Sequence, residues 1–296
     1  MPDIVVHLVA AAAYLGLAWH FWHSRWRASA PVPAAASTAA GELRPWERIA
    51  ILLPLRLHAA LLYRGIFAAP ELRFGFAQAL SAMLWLAVVI YWAESLVFRL
   101  VGMQPLVLGT AALGSLLPLW FQGPTVTYGS SLDFKIHLSL AIIAYSLFTL
   151  AILHALLMAL ADRVLHAVVK RANGVSDAAQ GGADRMLQGP VAALPPLLTI
   201  ERMFFRLVGV AFAFLTVTLA TGMVLSNSLF GRPLRFNHET VFAVMSWLTF
   251  AVLLWGRVFR GWRGRTALRW SLAGFVMVVL ANIGTAFVLE VLLKRS

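Results

Sequence analysis

One stretch limits what this chain can fold into more than any other: Phe134 to Arg163, reading FKIHLSLAIIAYSLFTLAILHALLMALADR. No Asp, Glu, Lys or Arg lies between Lys135 and Asp162. About 20 apolar residues already cross a hydrocarbon layer of about 30 Å, so this run is too long and too apolar for a soluble core helix and reads as a membrane span. The rest of the chain agrees with it. At 61% hydrophobic and 12% charged residues, with a mean hydropathy of +0.81, the expected fold class is an all-α, polytopic integral membrane helix bundle with no soluble catalytic domain. The absence of cysteine excludes structural disulfides, iron–sulfur clusters, thiolate zinc sites and a thiol relay on this chain, and leaves imidazole, carboxylate and hydroxyl chemistry.

Eight apolar runs mark the spans: residues 4–22, 47–67, 75–95, 101–121, 136–160, 205–226, 240–256 and 270–291. The amino-terminal run lacks the basic region and small-residue cleavage site of a secretory signal, so it is expected to stay as span one. The segments after spans one, three, five and seven hold sixteen Lys and Arg residues, including the GWRGR run at Gly261–Arg265, against seven on the other side. The positive-inside rule then puts both termini outside, in the periplasm of a bacterial inner membrane, with GWRGR touching anionic lipid. The net charge of +12 is thus distributed by membrane side and implies a lipid partner and no nucleic acid. Residues 1–45 are expected to be span one plus a cytoplasmic linker, with the Ala, Pro, Ser and Thr-rich part at 28–41, and residues 46–296 the main membrane domain. A polar, glycine-containing stretch, Asn173–Gly189, reads as disordered. After it, LPPLLTIERMFF is expected to form a cytoplasmic surface helix feeding span six, with Thr199 as its cap. Trp247, Trp255, Trp262 and Trp270 read as interfacial anchors.

Ionisable side chains inside spans are rare and are by default functional candidates. His20, His23, His154 and His166 belong to the cytoplasmic side, whereas His7, His137 and His238 lie near the outer ends of spans one, five and seven; His58 is about midway along span two. At a rise of 1.5 Å per residue, His137 and His154 are about 25 Å apart and cannot share a ligand. Neutral imidazole is an axial ligand for haem iron, and two imidazoles from separate helices at one depth suit a b-type haem. His58 and His137 are the candidate axial ligands, with His238 as a further cofactor-binding residue. The bland alternative for each is a histidine bonded to a neighbouring helix or to headgroups. Arg56 costs about 3 kcal/mol to insert at mid-span, and a haem propionate is a candidate counter-charge. Positions 56 and 58 are about 200° apart on an ideal helix, so only a distortion at Pro54 brings both to one ligand; otherwise Arg56 snorkels. Tyr145, two turns beyond His137, lines a pocket or simply packs.

Three blocks carry a resemblance. FKIHLSLAIIAYSLFTLAILHALL, LPPLLTIERMFFRLVGVAFAFLTVTLATG and TVFAVMSWLTFAVLLWGRVFRGWRGRTALRWSLAGF, in this order, resemble the cytochrome c assembly protein family of CcsA type, in its short HemX-like and YpjD-like form, over about residues 50–293. The resemblance implies a multi-pass inner-membrane protein that handles haem b through histidines. It places His137 on the family histidine before AYSLF and His58 on the span-two histidine of short members. Other cytochrome maturation proteins or an apocytochrome would be its partners. The family's full haem lyases carry a tryptophan-rich WGxxWxWD-type outer segment and a further outer histidine after the last span. Here the loop is SNSLFGRPLRFNHET, which precedes TVFAVMSW and contains His238, and the end is NIGTAFVLEVLLKRS. The expectation is therefore a haem-binding assembly component that is not itself a lyase. The alternatives are a b-type electron-transfer subunit with a second, inner site at His20 and His154, and a transporter or scaffold with structural histidines.

Overall fold

A computed structural model describes residues 2–27, 43–67, 72–98, 102–126, 129, 131–172, 196–230 and 238–281. The segments expected to be linker (28–41) and disordered (Asn173–Gly189), together with Arg232, Arg235 and the distal part of span eight, lie outside the described residues. Eight α-helices follow in chain order: α1 (Pro2–Phe21), α2 (Pro45–Leu62), α3 (Phe76–Val97), α4 (Gln104–Trp120), α5 (Leu132–Ala172), α6 (Leu197–Phe230), α7 (His238–Arg260) and α8 (Gly264–Val279). Six, namely α1, α2, α3, α5, α6 and α7, are long and apolar enough to cross a membrane, and α4 is a shorter apolar helix. Among the described residues the extended backbone makes one isolated bridge, between Arg73 and Thr125.

A helix that is apolar on every side has no polar face to turn outward, so it belongs in the interior. That helix is α5, which packs against α3, α4, α6 and α8. Its Ala144, Leu150, Ala151, Ala155 and Leu157 are buried, and its Phe148 ring stacks on Phe250 of α7 at 3.9 Å. Gly274 of α8 makes room for that stack, since a Cβ there would meet Phe250 Cζ at 2.8 Å. On the other side α1 packs against α2 and α4. Its buried face includes Ala10, Ala11 and Ala18, and that of α4 includes Ala111 and Ala112; small side chains let membrane helices approach closely.

Ion pairs gather at the end of the bundle that carries the basic loops. Glu47, on the first turn of α2, binds His20 at the end of α1 at 3.1 Å and Arg25 in the π-helical turn after it at 2.9 Å, and accepts from the Arg44 amide at 2.7 Å. Glu201 of α6 pairs with Arg257 of α7 at 2.7 Å and with Arg263 of the α7–α8 turn at 3.3 Å. At the other end, Arg64 reaches Asp3 at 3.3 Å. There the approach to α3 and the exit of α4 bond through Phe74 N to Pro124 O and Val126 N to Leu72 O.

Three expectations change. The sixth span and its feeding segment form one continuous helix from Leu197: the paired prolines at 195 and 196 precede it, and the following residues include no proline before Phe230. Thr199 consequently lies inside the first turn, its amide bonded to Pro196 O, and is not the cap. The fifth span runs on to Ala172 because nothing in ALADRVLHAVVKRA stops a helix. Trp247 and Trp262, both half-buried, also pack within the protein: Trp247 Nε1 donates to Thr216 Oγ1 at 2.9 Å, and Trp262 stacks on Trp270 and lies over Gly256. Trp255 stays exposed, as an interfacial residue should.

Candidate functional site

The ends of α5, α6 and α7 opposite the basic loops hold two of the sequence-identified residues. His137 is on the second turn of α5 and half-buried. Its Nδ1 lies 3.0 Å from Thr221 Oγ1 on α6, and the Thr221 hydroxyl in turn donates to Thr218 O at 3.0 Å. A hydroxyl whose proton is already committed meets a ring nitrogen as acceptor, so Nδ1 carries the imidazole proton. The lone pair is then on Nε2, which has no hydrogen bond among the described residues. That is the arrangement in which a bonded second nitrogen fixes the tautomer and aims the first at a metal. Gly222 sits beside the ring, and a Cβ there would come within 3.1 Å of His137 Cε1. His238 is the exposed first residue of α7. Next to it, the Glu239 carboxylate is within electrostatic range of Tyr145, two turns along α5 from His137.

His58 lies in the other half of the bundle. It is fully buried, its Nε2 is 2.9 Å from Ser81 Oγ on α3, and its ring meets Tyr14 of α1 edge-on at a centroid distance of 5.9 Å. Its Nδ1 and the Tyr14 hydroxyl are buried with no hydrogen-bond partner. His7, which bonds Ser115 O through Nδ1, is close enough to act on His58 electrostatically. His58 and His137 therefore have separate packing neighbours: Tyr14 and Ser81 for one, Thr221 and Gly222 for the other. Arg56 is exposed on the outer face of α2 while His58 is buried on the inner one, as the 200° separation requires. Pro54 does not bring them together.

The inner pair is also divided. His20 Nε2 is taken by Glu47, and its ring lies against Trp46. His154 is fully buried, bonds Leu150 O through Nδ1 at 2.9 Å, and leaves Nε2 without a partner. Its surroundings, like Thr221, escape sequence reading, because a hydroxyl one helix away has no spacing signature. The block LATG, which contains Thr221 and Gly222, was the available signal. Among the described residues no group of three or more His, Cys, Asp or Glu side chains could hold a metal ion.

Comparison with known proteins meets these observations. The family model described as cytochrome C assembly protein matches residues 46–293. An uncharacterised 28.8 kDa protein of Azospirillum brasilense is 30% identical over 223 residues, 72% of this chain and 76% of its own. The inner membrane protein YpjD of Escherichia coli is 34% identical over 99 residues, 33% of this chain and 37% of YpjD. The cytochrome c biogenesis protein CcsA of Microcystis aeruginosa is 28% identical over 116 residues, 36% of this chain and 35% of CcsA. The chain thus spans little more than a third of the length of YpjD and of CcsA. No solved structure matches it. Most of the described helical bundle lies inside the stretch matched by the family model, and the chain belongs to the cytochrome c assembly protein family as a multi-pass inner-membrane member.

Proposed function

We propose that the protein is a haem-binding component of cytochrome c assembly, with His137 as an axial ligand of a b-type haem through Nε2. The observation that carries this reading is the Thr218–Thr221–His137 chain of hydrogen bonds, which leaves one neutral imidazole nitrogen free at the outer end of the bundle. The donor set suits haem, since the chain offers imidazoles and no thiolate. His58, with a buried unpartnered Nδ1, and His238, at the mouth of the same outer region, are the remaining ligand candidates. Bound there, haem would supply an iron that accepts imidazole, while the protein holds the imidazole proton on Nδ1. An apocytochrome or another maturation protein is the recipient this family membership suggests. The loop SNSLFGRPLRFNHET lacks the tryptophans of the lyase pattern, which favours haem handling over thioether formation.

The protein purified from haem-replete cells should show the absorbance of a low-spin b-type haem. His137→Ala should abolish it, and Thr221→Val should weaken haem retention about 10- to 100-fold, the usual effect of losing a ligand's outer hydrogen bond. A wild-type protein that neither carries nor takes up haem would refute the proposal. A full spectrum in His137→Ala would refute the assignment of the ligand.

A further inference from the structure

Arg56 has no role in the site above. It is exposed on the outside of α2, and no hydrogen bond or ion pair holds it among the described residues. On the same face lie Ile49, Leu53 and Tyr63, each more than 60% exposed, and exposed Ala60. Positions 49, 53, 56, 60 and 63 fall within an arc of about 80° at 100° per residue, so they form one straight seam with alternating steps of four and three. Within the bundle α2 packs against α1 and α3, which leaves this seam facing outward.

The depth of Arg56 rules out the easy escape. It is ten residues past Trp46, about 15 Å along the axis, and seven before Tyr63, about 10 Å. Helical side chains lean toward the amino terminus, and an arginine reaching that way still ends well short of the Trp46 level. Nor is there an acid at this depth among the described residues. Glu47, Glu94, Asp162 and Glu201 lie toward the basic end, whereas Asp3, Asp133 and Glu239 start helices at the opposite one. A second copy presenting the same seam would set Arg56 against Arg56.

We infer that the Ile49–Leu53–Arg56–Ala60–Tyr63 seam is the docking face for a transmembrane helix of a different protein, one that carries an Asp or Glu near mid-membrane. Ala60 lets the backbones approach, as small residues do between membrane helices. The ion pair fixes the partner and its register, the role a single polar residue has in a helical seam. This inference is independent of haem binding.

The test uses the full chain in lipid vesicles. Because the chain has no cysteine, Ser296→Cys gives a single attachment point for a fluorescent donor. Acceptor-labelled single-span polyleucine helices with a central Glu, Gln or Leu are the probes. Energy transfer should show the Glu helix binding at least tenfold more tightly than the Gln helix. Arg56→Leu should remove the preference, whereas Arg64→Leu should keep it. Circular dichroism and thermal unfolding confirm that the variants are folded. The inference is overturned if the wild type does not discriminate Glu from Gln, or if Arg56→Leu discriminates equally well. It is also overturned if a photo-crosslinker at Leu53 in native membranes yields only a homodimer or only phospholipid adducts, which would assign the face to a second copy or to headgroups.

Discussion

Glu47 offers the sharpest test of how this bundle is held together. Its side chain is 2% exposed and takes three donors: Arg25 Nη2 at 2.9 Å, His20 Nε2 at 3.1 Å and the Arg44 amide at 2.7 Å. Glu47→Gln preserves the shape and removes the charge, so Arg25, itself 11% exposed, loses the carboxylate oxygen at 2.9 Å. Breaking a buried pair from one side typically costs about 3–5 kcal/mol. His20 is 35% exposed and recovers part of its loss from water, so about 2–4 kcal/mol is expected, less than the full buried-pair value because one partner is partly solvated. At about 2–4 °C per kcal/mol, the apparent Tm of the purified protein should fall by about 4–16 °C. Arg25→Met in the Glu47→Gln background should recover much of that loss, because no buried cation then faces the uncharged amide. A fall of less than about 1 °C, or losses that add in the double variant, would show that the clamp between α1 and α2 contributes little and that apolar packing alone fixes span one.

Two further substitutions probe other contacts. Gly123→Ala would drive a methyl group into the backbone at Gly75 N and Phe74 C, where nothing flexible can yield; an overpacking loss of about 1–3 kcal/mol is expected, read as protease cleavage within residues 72–75 or 123–126. His58→Leu removes a buried nitrogen that has no partner and should leave the haem-free protein as stable as the wild type or up to about 1–3 kcal/mol more so. In thermal-shift measurements on haem-free protein, a loss of similar size would mean that the His58–Ser81 bond outweighs the unpaired nitrogen.

The membrane bundle was legible because hydropathy acts over whole segments, and seven of the eight expected spans have helices whose ends differ from the expected bounds mainly where the helix outruns the apolar run. The opposite faces of Arg56 and His58 were legible too, since helical geometry alone separates them. What stayed hidden is pairing between distant segments. Glu47 stands among ordinary residues in RPWERIAILL, and nothing there announces His20 and Arg25 some twenty residues earlier. Likewise the histidines could be sorted by depth, but which of their nitrogens is free depends on Thr221, Ser81, Leu150 O and Glu47, reached through tertiary contact or through rotamer choice.

Those partners divide the histidines by chemistry more cleanly than depth does. His20 is spent on a carboxylate and His166 bonds Asp162, so both belong to the ionic end of the bundle. His58, His137 and His154 each use one ring nitrogen within the protein and leave the other open. In His154 and His58 the open nitrogen is sealed inside the bundle; in His137 it is at a half-buried position beside Gly222. A ligand arriving from outside the membrane can reach only the last without first parting helices. If the protein binds haem as proposed, His137 would therefore be the first of the three imidazoles to meet it. That order predicts that His137→Ala slows haem uptake itself, whereas loss of a deeper ligand would change the spectrum of haem already captured.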